Sequence, residues 1–131
     1  MNAADPNETR FTEIIFPAQA NHYGTLFGGT ALNLMGKAAV IAAARRAGAN
    51  VVMAAADHVD FYKPVAVGQL VELCARVERI GRSSMTVSVD VIAEHIKGGE
   101  RELAMRGKFE MVSVDDEGRP IPVNRMAPEP A

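Results

Sequence analysis

Asn21-His22-Tyr23-Gly24-Thr25-Leu26-Phe27-Gly28-Gly29-Thr30-Ala31-Leu32-Asn33-Leu34-Met35-Gly36-Lys37-Ala38-Ala39 carries a loop of small and polar residues straight into an apolar helix. The helix is expected from Gly28 to about Arg46. Leu32, Met35, Ala39 and Ala43 fall at i, i+3, i+7 and i+11, and Leu34, Ala38, Ile41 and Ala42 fill much of the remaining surface. Only Asn33 and Lys37 interrupt the apolar character before Arg45. A helix that is apolar nearly all round is a buried helix. Gly48, just past Arg45-Arg46, supplies a stop with cations in the last turn.

Working outward, Arg10 to Phe16 reads as a short strand ended by Pro17. Downstream of the helix everything reads as strands. Val51 to Tyr62 ends at Pro64, and Leu70 to Ile80 sets Val71, Leu73, Ala75 and Val77 on one parity. Ser83 to Glu94 alternates Met85, Val87, Val89 and Val91 with polar residues, and Arg101 to Val114 repeats the pattern with Leu103, Met105, Phe109 and Met111. Period-two patterning of this kind implies antiparallel strands with one face on a core. Turns are expected at Val67-Gly68, Gly81-Arg82, Gly98-Gly99 and Asp116-Glu117-Gly118. The layout is α+β, a curved antiparallel sheet around one long buried helix. Such a sheet exposes an edge, so pairing with a second copy is expected. Residues 1–9 read as a disordered lead-in, 10–118 as a single domain, and 119–131 as a loosely ordered tail.

Composition narrows the function. At 131 residues the chain suits one domain. A net charge of −2 argues against a nucleic-acid binder held by phosphate neutralisation, and 5% aromatics with no Trp argues against base-stacking platforms. The N-terminus lacks a basic start followed by an apolar run, and the longest apolar run, Ala38 to Ala44, is too short to span a bilayer. A cytoplasmic protein is expected. The single cysteine, Cys74, excludes an internal disulfide and reads as a packed thiol. His22, His58 and His95 lack metal-ligand spacing, so no metal is expected; His22, beside Asn21, reads as a loop residue.

Gly28-Gly29 at a helix start lets a ligand atom approach the first helical N–H groups closely. The positive end of the helix dipole adds to their pull on negative charge. Asn21 brings a side-chain amide that can donate to a carbonyl oxygen or orient a water. Each feature alone has an ordinary explanation, as a tight turn or a loop residue. Together they form N-x-x-G-x-x-x-G-G running into a buried helix and followed by period-two strands.

This combination resembles the active-site segment of the hotdog-fold acyl-CoA thioester hydrolases, the group that includes the broad-specificity cytosolic acyl-CoA hydrolases. The resemblance spans about Ile14 to Val114. It includes Val59-Asp60-Phe61-Tyr62-Lys63-Pro64-Val65, followed by Gly68, and the Gly81-Arg82-Ser83-Ser84-Met85 turn. It implies hydrolysis of acyl-CoA to a free acid and coenzyme A, with no cofactor beyond the coenzyme A of the substrate. Phe61, Lys63, Arg82, Ser83 and Ser84 are implied to contact coenzyme A. A guanidinium also suits phosphate bidentately on its own chemistry. Active sites are implied between protomers of a homodimer, further grouped as a trimer of dimers. Asn21 and the Gly28-Gly29 amides of one subunit would hold the thioester, and a helix aspartate of the other would act as base or nucleophile.

Here that helix position is Gly36, which can do neither. Three readings stand side by side: an aspartate replaced by design in an otherwise ordinary enzyme, a carboxylate moved elsewhere, and a non-catalytic acyl-CoA-binding protein. For the second, Asp57 is the candidate, because it shares parity with Val51, Met53 and Ala55 and is expected on the core side, with His58 or Lys37 as partner.

Overall fold

The computed structural model describes residues 5–123. Helix α1 runs Gly28–Ala47 and ends on Gly48, whose left-handed φ of 63° lets its N–H reach Ala44 O at 2.8 Å. It presents Ala31, Leu34, Met35, Ala38, Ala39, Ala42 and Ala43 to the core. Small residues predominate, so the helix lies close to its sheet. The opposite stripe is bare. Leu32 and Val40 are 40% and 36% exposed, so the expected all-round burial is not met by one chain. A single sheet covers only one side of a helix.

That sheet has five antiparallel strands, β1 (Glu8–Ile14), β2 (Asn50–Phe61), β3 (Leu70–Ile80), β4 (Ser84–Glu94) and β5 (Arg101–Val114). Their spatial order is β1-β3-β4-β5-β2, which leaves β1 and β2 as edges. A 3-10 turn, Pro17–Gln19, follows β1. In β3 and β4 the expected parities hold, with Val71, Leu73, Ala75, Met85, Val87 and Val89 all buried against α1.

Three bulges depart from strict alternation, and one of them, at Glu78 of β3, falls past the buried run Val71 to Val77 and leaves its parity unchanged. In β5, Val91 pairs with Met105 but Ile92 with Leu103, leaving Ala104 as the extra residue. Ala104 is fully buried, and Leu103 is turned half out of the core it was expected to join. In β2, Met53 pairs with Met111 but Ala55 with Glu110, so Ala54 is the extra residue. A further irregularity between Asp57 and Asp60 contains His58 at φ 54°.

Residues 119–123 lie against the sheet rather than loosely beside it. Ile121 N–H donates to Ser113 O, Val123 N–H donates to Arg82 O, and Val123 is buried. The first strand begins at Glu8, inside the stretch expected to be disordered. Residues 1–4 and 124–131, the rest of the expected lead-in and tail, lie outside the described residues. Among the described residues no helix is long and apolar enough to cross a membrane.

Candidate active site

The loop before α1 is built on Asn21. Its side-chain oxygen accepts from Tyr23 N–H at 2.9 Å and Thr25 N–H at 3.2 Å, and its amide nitrogen donates to Thr25 Oγ1 at 3.0 Å. Gly24, at φ 78°, completes the turn. An amide nitrogen has two donors, so one stays available for a ligand. The loop is then stitched to the segment after β2: Leu26 N–H donates to Val65 O at 2.7 Å, and Val67 N–H to Gly24 O at 3.1 Å.

Helix α1 opens at Gly28 with no side-chain cap from Phe27. The first helical N–H groups have no acceptor inside the helix. A Cβ on Gly28 would meet nothing within 4 Å, so packing does not explain that glycine. A Cβ on Gly29 would come within 2.8 Å of the Phe27 ring, itself 55% exposed. Gly28 borders a cleft of about 280 Å³ shared with Thr25, Leu26, residues 61–65 and Met105. The Ala104 bulge helps form it, because Ala104 O accepts from both Tyr62 N–H at 2.8 Å and Lys63 N–H at 3.2 Å. The structure thus brings Gly28, Phe61 and Lys63 together, with Asn21 in the adjoining loop.

It does not bring the others there. The Gly81-Arg82-Ser83-Ser84 turn is closed by Gly81 N–H donating to Ser84 O at 2.8 Å, and Arg82 is exposed. Gly81 and Ser84 border a separate cavity of about 340 Å³ with Arg79, Thr86 and Glu110. Ser84 pairs with Val112 of β5, whereas Phe61 pairs with Met105. Seven strand residues at ~3.3 Å each put the two places about 23 Å apart, at opposite ends of the sheet. Gly36 lies seven residues beyond Gly29, about 10 Å along the helix on the same face. One chain therefore cannot close both around one bond.

Asp57 is not where strand parity put it. The extra residue Ala54 reverses the alternation, so Asp57 sits opposite Lys108 on the face away from α1. It is exposed, and His58 pairs with Asp60 at 3.1 Å instead. His22 is an exposed loop residue stacked on Tyr23. Cys74 is half-buried; burial, with Glu72 beside it, pushes its thiol up to about 11. Among the described residues no group of three or more His, Cys, Asp or Glu could hold a metal ion.

Alternation set Met53 on the core side, correctly, but did not show that it lies over Gly36. A Cβ built on Gly36 would lie 3.2 Å from Met53 Cε, among the described residues the only atom outside the helix backbone and the adjoining residues within 4 Å of it. A long side chain among Ala54-Ala55-Ala56 was the available signal.

The model of the thioesterase superfamily matches residues 23–100. The chain belongs to this superfamily. An uncharacterised acyl-CoA thioester hydrolase of Bacillus subtilis, YkhA, is 42% identical over 130 residues, covering 93% of this chain and 76% of that one. A hexameric acyl-CoA thioesterase without ligand superposes with a TM-score of 0.88 at 38% identity, over 93% of this chain and 78% of the other. The acyl-CoA hydrolase of Staphylococcus aureus, solved with butyryl coenzyme A, coenzyme A and coenzyme A disulfide, gives 0.86 at 35% identity, over 95% and 76%. This thioesterase chain has the hotdog fold. The S. aureus hydrolase has also been solved with alanine in place of an asparagine, of an aspartate fifteen positions further on, and of a threonine seventeen positions beyond that. Fifteen positions separate Asn21 from Gly36 in this thioesterase, and seventeen separate Gly36 from Met53.

Proposed function

We propose that this chain binds acyl-CoA thioesters and hydrolyses them to a free acid and coenzyme A, slowly, because position 36 supplies no carboxylate. The observation that carries the reading is the uncapped helix start at Gly28-Gly29, opening onto the cleft beside Phe61 and Lys63 in a thioesterase-superfamily domain. A thioester carbonyl oxygen placed there accepts from the Gly28 and Gly29 N–H groups. As water attacks the carbonyl carbon, the charge developing on that oxygen is stabilised by those donors and by the helix dipole. Collapse breaks the C–S bond and releases the coenzyme A thiolate, which takes up a proton. Asn21 contributes its free amide N–H at the same oxygen or at the water.

The attacking water lacks its base. A missing general base costs about 10²- to 10⁴-fold in rate. Since Gly36 lies about two turns from Gly29, the position facing a bound thioester is Gly36 of a second copy, reached across the bare stripe of α1 and the β2 edge. Arg82, Ser83 and Ser84 then reach the coenzyme A from a neighbouring subunit. A homodimer grouped as a trimer of dimers satisfies both, in keeping with the hexameric relative.

The same observations favour one further reading, a non-catalytic acyl-CoA-binding protein, because a methionine methyl group rather than a carboxylate faces position 36. Thiol release from short-, medium- and long-chain acyl-CoA, measured for the native chain and Gly36→Asp, separates the two. Calorimetric titration with coenzyme A accompanies it. Slow native turnover that rises in the variant supports the hydrolase. Binding with no turnover from either supports the binder, and no binding at all sinks both.

A further inference from the structure

We propose that Met53 is a second determinant of turnover: its side chain occupies the space over Gly36, and a carboxylate introduced there acts fully only once Met53 is shortened. This rests on the hydrolase reading above.

Met53 pairs with Met111, a fully buried core residue, so its side chain points to the α1 side of the sheet. It is the last β2 residue before the Ala54 bulge, and the bulge directs the next polar side chain, Asp57, to the other face. The methyl end of Met53 rests over the one position on this stretch of helix that has no side chain. At 3.2 Å, the β-carbon of any residue at 36 already presses on that methyl. An aspartate carboxyl extends further still, into space the thioether holds. A carboxylate acting as a base needs water and hydrogen-bond donors around its charged form, and a thioether supplies neither. Met53 is also 40% exposed, so shortening it leaves the core intact. Gly36 and Met53 form one matched pair, a bare site and the long apolar side chain that covers it.

The test is a cycle of the native chain, Gly36→Asp, Met53→Thr and the double variant. The readouts are kcat and KM for butyryl-CoA, with calorimetric titration of coenzyme A for each. Gly36→Asp alone is expected to raise kcat less than about tenfold and Met53→Thr alone not at all. Together they are expected to raise it about a hundredfold or more, within the range of a restored general base, with KM changed less than about threefold. Met53→Ala with Gly36→Asp is expected to give most of that gain, since it too removes the thioether. Single and double variants with equal kcat would overturn the proposal, as would gains that simply multiply. A gain confined to threonine would assign the effect to its hydroxyl and overturn it as well. Four silent proteins that still bind coenzyme A would defeat the hydrolase reading first, and Met53's part in it as a consequence.

Discussion

β4 and β2 have 11 and 12 residues and both are mainly apolar, yet they live in different surroundings. β4 has a strand on each side, and alternate residues from Met85 to Ala93 are buried. β2 pairs only with β5, carries two irregularities, and leaves Val52 48% exposed. The contrast is sharpest in one row across the sheet, where Met111 pairs with Met85 on one side and Met53 on the other. Met85 is 1% exposed and Met53 40%. Apolar character in β4 serves the fold of one chain. In β2 it remains after that fold is complete, and a second copy can use it.

Truncating the two methionines tests this contrast most strongly. Met85→Ala is expected to cost about 2–5 kcal/mol, the range for emptying a buried site. Met53→Ala should cost about 1 kcal/mol or less, as for a surface change. Urea denaturation of the two variants gives both numbers, and equal losses would erase the distinction.

Next in size is a charge on the bare stripe of the helix. Leu32→Arg leaves the core of one chain untouched, because Leu32 is 40% exposed. Burying an unpaired charge between two copies costs several kcal/mol, so sedimentation should show the variant at the mass of a single chain. Thiol release should fall with it. A variant that stays associated and active would place the subunit contact elsewhere.

A smaller effect separates stability from chemistry at the helix start. Gly28→Ala meets no atom within 4 Å, so it should stabilise the chain by about 0.4–1 kcal/mol through the unfolded state. The added methyl group narrows the approach to the first N–H groups, so turnover should fall while the melting temperature rises. The smallest effect concerns Cys74. With its thiol raised to about 11, roughly a thousandth is thiolate at pH 8. Iodoacetamide should modify the native protein slowly and the urea-unfolded one quickly.

How much of this could be read from the sequence follows the same contrast. The bounds of α1 and of β3 were legible because the Gly48 stop marks the end of the helix and the alternation from Leu70 to Val77 runs unbroken before the one irregularity in β3. The face on which Asp57 sits was not, because an extra residue in an alanine run carries no side-chain mark, and one residue reverses every position after it. Leu103 went astray for the same reason at Ala104. At the site, Asn21, Gly28 and Gly29 were visible as chemistry, and their meeting with Phe61 and Lys63 followed from adjacent elements. That the Arg82-Ser83-Ser84 turn lies at the far end of the sheet depends on strand order, which no local pattern encodes. Met53 stayed hidden because its partner, Gly36, is defined by a missing side chain.

The interrupted backbone of β2 has a consequence for how far association can go. An unpaired strand edge is a template on which further chains can add without limit. A ladder that contains an extra residue at Ala54 and a left-handed residue at His58 cannot be continued by an arbitrary extended segment. It would accept only a strand whose own irregularities fall in register with it, as those of a second copy running antiparallel could. A copy paired there would remove the edge, so that growth through β2 would stop at a closed assembly rather than a fibre.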